Sequence, residues 1–393
     1  MKIQVAVFFG GRSVEHEISV ISALQAIHAF NADKYAVTPV YISKQGKWYS
    51  GDALLKVENY KDIPALLRKC DEVYFMPGYG NNKLYKAGRG LFGSHVVATI
   101  DVVCPVLHGT NGEDGSFQGI VEMTGLPFVG CDVLASANGM DKITMKMILR
   151  ESGIPVVDYV WFTDKQWRAQ RDALVAQVEQ KLGYPVIVKP GNLGSSVGIS
   201  HADDREGLIR AVEQAGHFST RLIVEKMVQE LREINCAVMG DADDNRTTVC
   251  EEPLRSGEIL SYEDKYMGGG KSSKGMQSTQ RRIPADLSPE VSDRIRSLTS
   301  ETFRVLSCSG VARVDFMIDN ATGAVYVNEI NTIPGSLSFY LWEATGVKFD
   351  ELMDRLVGIA LKRHREAELK TVSYDQNIFN LGKGFKGGKM GVK

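Results

Sequence analysis

Two segments in the last quarter of this chain constrain its fold more than any other feature: Arg313-Val314-Asp315-Phe316-Met317 and Val327-Asn328-Glu329-Ile330-Asn331-Thr332. In each, polar and apolar residues alternate. On a β-strand that alternation sends Arg313 and Asp315 to one face, and likewise Glu329 and Asn331, while the residues between them enter a core. Charges inside such apolar strands need partners. Two adjacent antiparallel strands would bring the four together, and two carboxylates with an amide are the oxygen ligands that hold magnesium jointly with substrate phosphates. Either half alone also reads as an ordinary strand with a charged surface.

The rest of the chain is long enough for two or three domains: 393 residues, 44% of them hydrophobic and 24% charged. A formal net charge of -2 gives no long-range attraction to nucleic acid or to an anionic membrane, which favours small, compact ligands. No stretch approaches the roughly 20 apolar residues of a membrane-spanning helix, so the expectation is a soluble protein. The apolar run Met1 to Phe9 ends in Gly10-Gly11 without a small-residue cleavage site and reads as a buried strand. Cys70, Cys104, Cys131, Cys236, Cys250 and Cys308 form no CxxC pair, which argues against a zinc site and a disulfide framework and for a reducing cytoplasm.

Strands and an amphipathic helix alternate at the start (Ile3 to Phe9, Val14 to Phe30, Tyr35 to Ile42, later Val102 to Leu107), which predicts an α/β unit with a parallel sheet. Ser13 is the expected N-cap, so Gly10-Gly11-Arg12 is a strand-to-helix turn at a ligand-accessible edge. A second unit begins near Met140 with a helix from Lys142 to Glu151, followed by the strand Pro185 to Val188. From about Arg221 the chain turns strand-rich (Leu222 to Glu225, Glu233 to Met239, Val311 to Ile318, Val325 to Ile330), which predicts an α+β unit. A last helix closes it, with Asp350 as N-cap and Phe349, Leu352, Leu356 and Ile359 on one apolar face. Beyond about Lys370 the hydrophobic period is lost, and the Gly/Lys-rich end reads as a disordered tail. No internal repeat is visible.

Three further stretches carry chemistry. Lys189-Pro190-Gly191-Asn192-Leu193-Gly194-Ser195-Ser196-Val197-Gly198 is a strand-ending lysine followed by small residues, fit either to close over phosphates or to make a tight connection between strands. It is not a Walker A loop, because Gly270-Lys271-Ser272 has Lys265 where the first glycine belongs. Leu222 to Met227 followed by Glu233 fits a strand running into a linker that could grip a nucleoside. Glu15 and His16 stand at the start of the first helix, where the dipole alone would favour an acid. His108 ends a predicted parallel strand, the usual ligand side of such sheets.

Together these residues resemble the D-alanine–D-alanine ligases of the ATP-grasp superfamily. The likeness runs in order from Val5 to about His364. It rests on Gly10-Gly11-Arg12-Ser13-Val14-Glu15-His16-Glu17-Ile18-Ser19, on Leu107-His108-Gly109 with Gly112-Glu113-Asp114-Gly115, and on Lys189-Pro190 with Gly194 to Gly198. Tyr262-Glu263-Asp264-Lys265-Tyr266 and Asn328 to Gly335 complete it. The resemblance implies a three-domain ATP-grasp fold: an N-terminal Rossmann-like parallel-sheet domain (1–138), a central ATP-grasp subdomain (139–230), a C-terminal domain with the metal site (231–368) and a basic tail (369–393). It further implies ATP and two magnesium ions as cofactors, with manganese the alternative metal, ligation of two D-alanines through D-alanyl phosphate, and a cytoplasmic homodimer with no nucleic-acid or membrane partner.

By the same resemblance Lys142 and Lys189 contact the ATP phosphates, Glu225 and Lys226 the adenine, and Glu233 the ribose, with Ser196 and Lys265 also among the cofactor-binding residues. Asp315, Glu329 and Asn331 hold the metals. Glu15 takes the ammonium of the first D-alanine, His108 lines its pocket, and Ser195 and Tyr266 link Glu15 to a mobile loop. Arg313 meets the transferred phosphoryl group and the oxyanion, and Gly335, Ser336 and Leu337 the second substrate. Two departures fall on the second-substrate side. The loop 267–282 is longer, more basic and richer in glycine than the family's, and Ser336-Leu337 follows Pro334-Gly335 at once where the family inserts further residues. D-serine, D-lactate or another amino acid as acceptor is therefore the alternative to D-alanine, and a nucleotide-binding regulator without turnover is the alternative outside enzymes.

Overall fold

The computed structural model describes residues 2–76, 78–88, 95–194, 197–254 and 281–373. Ser195, Ser196, Lys265, Tyr266, the loop as far as residue 280 and the expected tail from 374 onward lie outside the described residues.

The first sheet has seven strands in the order β6-β5-β4-β3-β2-β1-β7. Strand β1 (Ile3–Gly10) runs parallel to β2 (Tyr35–Ile42) and β7 (Val102–Leu107). Val5 to Phe9 are buried on both faces of β1, which is why that strand reads as a continuous apolar run. The expectation of a parallel sheet needs correcting beyond these three strands. β3 (Trp48–Ser50), β4 (Asp71–Phe75), β5 (Lys83–Lys86) and β6 (Val96–Thr99) extend the sheet antiparallel. They are short and half-exposed, and sequences such as Lys83-Leu84-Tyr85-Lys86 carry too brief an alternation to stand out.

The helix after β1 spans His16–Ala29, later than a Ser13 cap would place it. Ser13 Oγ accepts the Glu15 N–H at 3.0 Å and so closes a turn ahead of the helix. Buried His16 decides the start, because its Nδ1 meets the Gly11 carbonyl at 2.7 Å and its Nε2 the Tyr41 hydroxyl at 2.9 Å.

The second sheet, β10-β9-β11-β8, is antiparallel throughout: β8 (Tyr159–Thr163), β9 (Val186–Pro190), β10 (Ser200–Ala202) and β11 (Arg221–Lys226). Helices Asp164–Lys181 and Arg205–Ala215 cover one face, where Phe162, Val178, Val188, Val212, Leu222 and Val224 form a core. The alternation of β11 turns Ile223 and Glu225 to the other face, where Ile223 packs with Ile143 of the helix Lys142–Glu151.

The third sheet, β13-β12-β16-β17, consists of β12 (Leu231–Gly240), β13 (Asn245–Thr247), β16 (Gly310–Asp319) and β17 (Ala324–Asn331). The helix Pro289–Val305 backs it through Ile295, Leu298 and Phe303, which pack on Ile234, Val314, Phe316 and Val327. A two-stranded ribbon, β14 (Glu252–Pro253) with β15 (Arg281–Arg282), adjoins it. The last helix spans Phe349–Glu368 with Lys348 at its cap position, so Asp350 belongs to its first turn and is not the N-cap. Leu352 and Leu356 of that helix share one core with Val5, Val7 and Phe9 of β1 and with Val311 of β16, so the first and third sheets are packed as one.

That packing requires a close backbone approach at Gly310. Its φ is +81°, and a Cβ there would lie 2.7 Å from the Gly130 Cα. Gly323 has a similar φ of +73° but open space around it. Gly323→Ala should therefore cost only about 1 kcal/mol for its left-handed backbone, and Gly310→Ala about 1–3 kcal/mol more for overlap. Urea unfolding checks this, with a lower midpoint at unchanged slope expected for Gly310→Ala.

Candidate active site

The pairing of β16 with β17 sets Asp315 opposite Glu329 and Arg313 opposite Asn331, on the face turned away from the Val314, Phe316 and Val327 core. Arg313 donates to Asp315 twice, at 2.6 and 2.7 Å, and Asn331 donates to Asp315 Oδ2 at 3.0 Å. The four residues that alternation singled out thus stand together. What alternation did not reveal is the slip of register between Asp315 and Phe316, a β-bulge that leaves Asn328 as the extra residue. Asn328 Oδ1 accepts from Lys189 Nζ at 3.2 Å. Asn235 was missed as well: it faces Asp315 from β12, and the amide orientation that satisfies its neighbours has it donating to Asp315 Oδ1 at 3.2 Å.

Among the described residues no group of three or more His, Cys, Asp or Glu side chains is placed to hold an ion. Two carboxylates and an amide do fit magnesium, which keeps part of its shell for water and substrate phosphate instead of filling it from the protein. The donor set contains only hard oxygens, so a soft thiolate site is excluded on chemical grounds.

Cations surround this face. Lys142, at the first turn of its helix, forms an ion pair with Glu329 Oε2 at 3.0 Å and donates to the Leu193 carbonyl at 2.9 Å, tying the glycine loop to β17. Burial works against its charge, but the carboxylates of Glu329, Glu225 and Glu15 prevail and hold its pKa above the ordinary lysine value. Lys189 Nζ lies 2.7 Å from Glu225 Oε2, and Lys146 Nζ lies 3.2 Å from Glu225 Oε1. Burial alone would raise the Glu225 pKa, yet Lys146 and Lys189 outweigh it and bring the carboxyl down to about 2. Lys146 went unnoticed in the sequence, although its spacing of four from Lys142 puts both on one helix face. Lys226 ends β11 exposed, and Glu233 is half-buried on β12 opposite Met317.

Across the cleft, Glu15 is held between two loops. A Cβ on Gly109 would lie 2.6 Å from its Oε2, and one on Gly194 2.8 Å, so a side chain at either position would displace the Glu15 carboxylate. Glu15, Lys142, Gly194, Glu329 and Asn331 line one small cavity with Glu113. Buried Glu113 accepts the Gly109 N–H at 2.8 Å and the Ile333 N–H at 3.0 Å, joining the first unit to the segment after β17. Burial, then the neighbouring charge of Glu15, keep its pKa well above the carboxylate range.

His108 Nε2 lies 3.0 Å from Ser22 Oγ, which also accepts the Ser336 N–H at 2.9 Å, and Ser336 Oγ donates to Gln25 Oε1 at 2.6 Å. Ser336, Leu337 and Ser338 are all buried with φ near +50°. Three successive left-handed residues without glycine cost about 1–2 kcal/mol each, and the helix His16–Ala29 supplies the contacts that hold them. The shortened segment after Gly335 was visible in the sequence; its left-handed turn was not.

The model for the D-ala D-ala ligase N-terminus matches residues 4–131, and that for the D-ala D-ala ligase C-terminus residues 148–358. The chain belongs to the D-alanine–D-alanine ligase family. Family members are ATP-dependent ligases with the ATP-grasp fold. A D-alanine–D-alanine ligase of Thermosipho melanesiensis is 38% identical over 96% of this chain and 99% of its own. Two solved structures of the family are also similar. The D-alanine–D-alanine ligase of Coxiella burnetii has a TM-score of 0.75 and 30% identity over 93% of this chain and 96% of that one. The VanG D-Ala:D-Ser ligase of Enterococcus faecalis has a TM-score of 0.77 and 31% identity over 92% and 100%.

Burial depresses the His108 pKa to about 4, with Arg313 adding to the shift and the hydrogen bond to the Ile333 backbone opposing it. The imidazole is therefore neutral at pH 7. Between pH 6.5 and 4 the unfolded chain takes up a proton that the folded chain refuses, so stability falls as pH falls through that window, by up to about 1.4 kcal/mol per pH unit. His108→Gln, which keeps a partner for Ser22, should show a shallower loss between pH 7 and 5 in urea unfolding.

Proposed function

We propose that the chain joins two molecules of D-alanine with cleavage of ATP to ADP and phosphate, through D-alanyl phosphate, for peptidoglycan precursors. The observation that carries this is the Lys142 ammonium, which contacts both the glycine loop at Leu193 and Glu329 on the oxygen-bearing face of β16 and β17.

Nucleotide binding falls to the cleft between units 139–230 and 231–368: Lys142, Lys189, Ser196 and Lys265 on phosphates, Glu225 and Lys226 on adenine, Glu233 on ribose. Asp315, Glu329 and Asn331 would hold two magnesium ions, and the same oxygens accept manganese. Bound there, the metal neutralises phosphate charge. Glu15 binds the ammonium of the first D-alanine, beside His108. The carboxylate oxygen of that first D-alanine attacks the γ-phosphorus, the bond to the β-phosphate oxygen breaks, and ADP leaves. Lys189 and Arg313 offset the charge that would repel the attack. The second D-alanine, its carboxylate met by Gly335, Ser336 and Leu337, loses an ammonium proton and attacks the acyl carbon. Arg313 stabilises the tetrahedral oxyanion, and phosphate departs. Ser195 and Tyr266 link Glu15 to the loop that excludes water. The chain acts as a cytoplasmic homodimer; no helix among the described residues is long and apolar enough to cross a membrane.

Asp315→Asn keeps an acceptor for Arg313 while removing the charge. Phosphate release with ATP, magnesium and D-alanine should fall about a thousandfold, with the circular dichroism of the folded protein unchanged. Full activity in that variant would remove Asp315 from the metal site. Product mass with D-alanine, D-serine and D-lactate separates the acceptors, and release only with a pair other than two D-alanines would overturn the proposed substrate.

A further inference from the structure

The ion pairs around the cleft are unequal. Lys142 pairs with Glu329, and Arg313 with Asp315. Glu225 is shared by two cations, Lys189 on Oε2 and Lys146 on Oε1. Lys146 is 0% exposed and Glu225 2%. Burying an ammonium costs several kcal/mol even after relaxation, and Lys189 already matches Glu225 in charge. A position that only needed filling would take a methionine at lower cost.

The consequence is electrostatic. With Lys189 alone, the carboxylate would cancel the ammonium and leave the pair neutral. With Lys146 added, the trio carries one net positive charge. Lys146 is enclosed, whereas Lys189 reaches out to Asn328 on the bulge of β17, so the excess is expressed on the cleft side. The pKa shifts agree with such crowding of cations: burial lowers that of Lys146, Glu225 opposes, and Lys189 and Lys142 lower it further.

We infer that Lys146 is a positioning residue that neutralises Glu225 from behind, so that Lys189 keeps its positive charge for the phosphates of a nucleoside di- or triphosphate. This rests on the nucleotide site proposed above. Lys146 touches no substrate and acts only through Glu225.

The test is equilibrium binding of ADP and of adenosine, by calorimetry without magnesium, to the full chain and to Lys146→Met, Glu225→Gln and the double variant. Removing the compensating charge should weaken ADP about tenfold while adenosine changes less than about twofold, because only ADP carries phosphate charge. Glu225→Gln added to Lys146→Met restores the net charge and should return the ratio of ADP to adenosine affinity to near the wild-type value. Equal losses for both ligands, or a double variant no better than Lys146→Met, would show that Lys146 serves packing alone. If Lys146→Met does not fold by itself, the double variant decides: a near-normal ratio supports the inference, and a tenfold drop overturns it. A wild-type chain that bound neither ligand would instead overturn the nucleotide site, and the inference with it.

Discussion

A network of buried lysines, answered by carboxylates and reaching from the second sheet and its helix to the third sheet, is the constraint on which this molecule depends. Glu225 belongs to β11 of the second sheet, yet its charge is answered from β9 by Lys189 and from the helix Lys142–Glu151 by Lys146. Lys189 continues across to Asn328 on β17 of the third sheet. Lys142 does the same from one turn earlier on that helix, reaching Glu329 and the glycine loop. None of these groups would tolerate burial alone, so the two sheets are held at the separation their side chains can span. That separation is the cleft.

On the opposite side the first unit closes the site by hydrogen bonds instead of ion pairs. Glu113 spans Gly109 and Ile333, and Ser22 spans His108 and Ser336. Both bridges end on the segment that follows Asn331, so the strand bearing Glu329 and Asn331, two of the expected metal ligands, and the segment expected to meet the second substrate are fixed by one stretch of chain. The helix His16–Ala29 contributes at its start, with Glu15, and two turns later, with Ser22 and Gln25. A change in how that helix seats would therefore be felt at both ends of the cleft.

Much of this was legible in local pattern. The period of two in Arg313 to Met317 and Val327 to Asn331 foretold four polar side chains on one face, and the strand register brings them together. The helix from Lys142 to Glu151 begins and ends where its sequence indicates. The short strands β3 to β6 were not legible, since three to five half-buried residues give too brief a pattern to separate from loop. Neither was the start of the first helix, which is set by His16 reaching Gly11 and Tyr41, contacts that no cap residue announces.

By itself the sequence determined which residues carry charge into apolar strands, and so the family and the kind of chemistry, because side-chain alternation and motif spacing are local properties. Only the tertiary structure decided the company those charges keep. The bulge that delivers Asn328 to Lys189, the second lysine behind Glu225 and the left-handed turn at Ser336 to Ser338 all arise from contacts between segments far apart in the chain, and no local pattern encodes the partner.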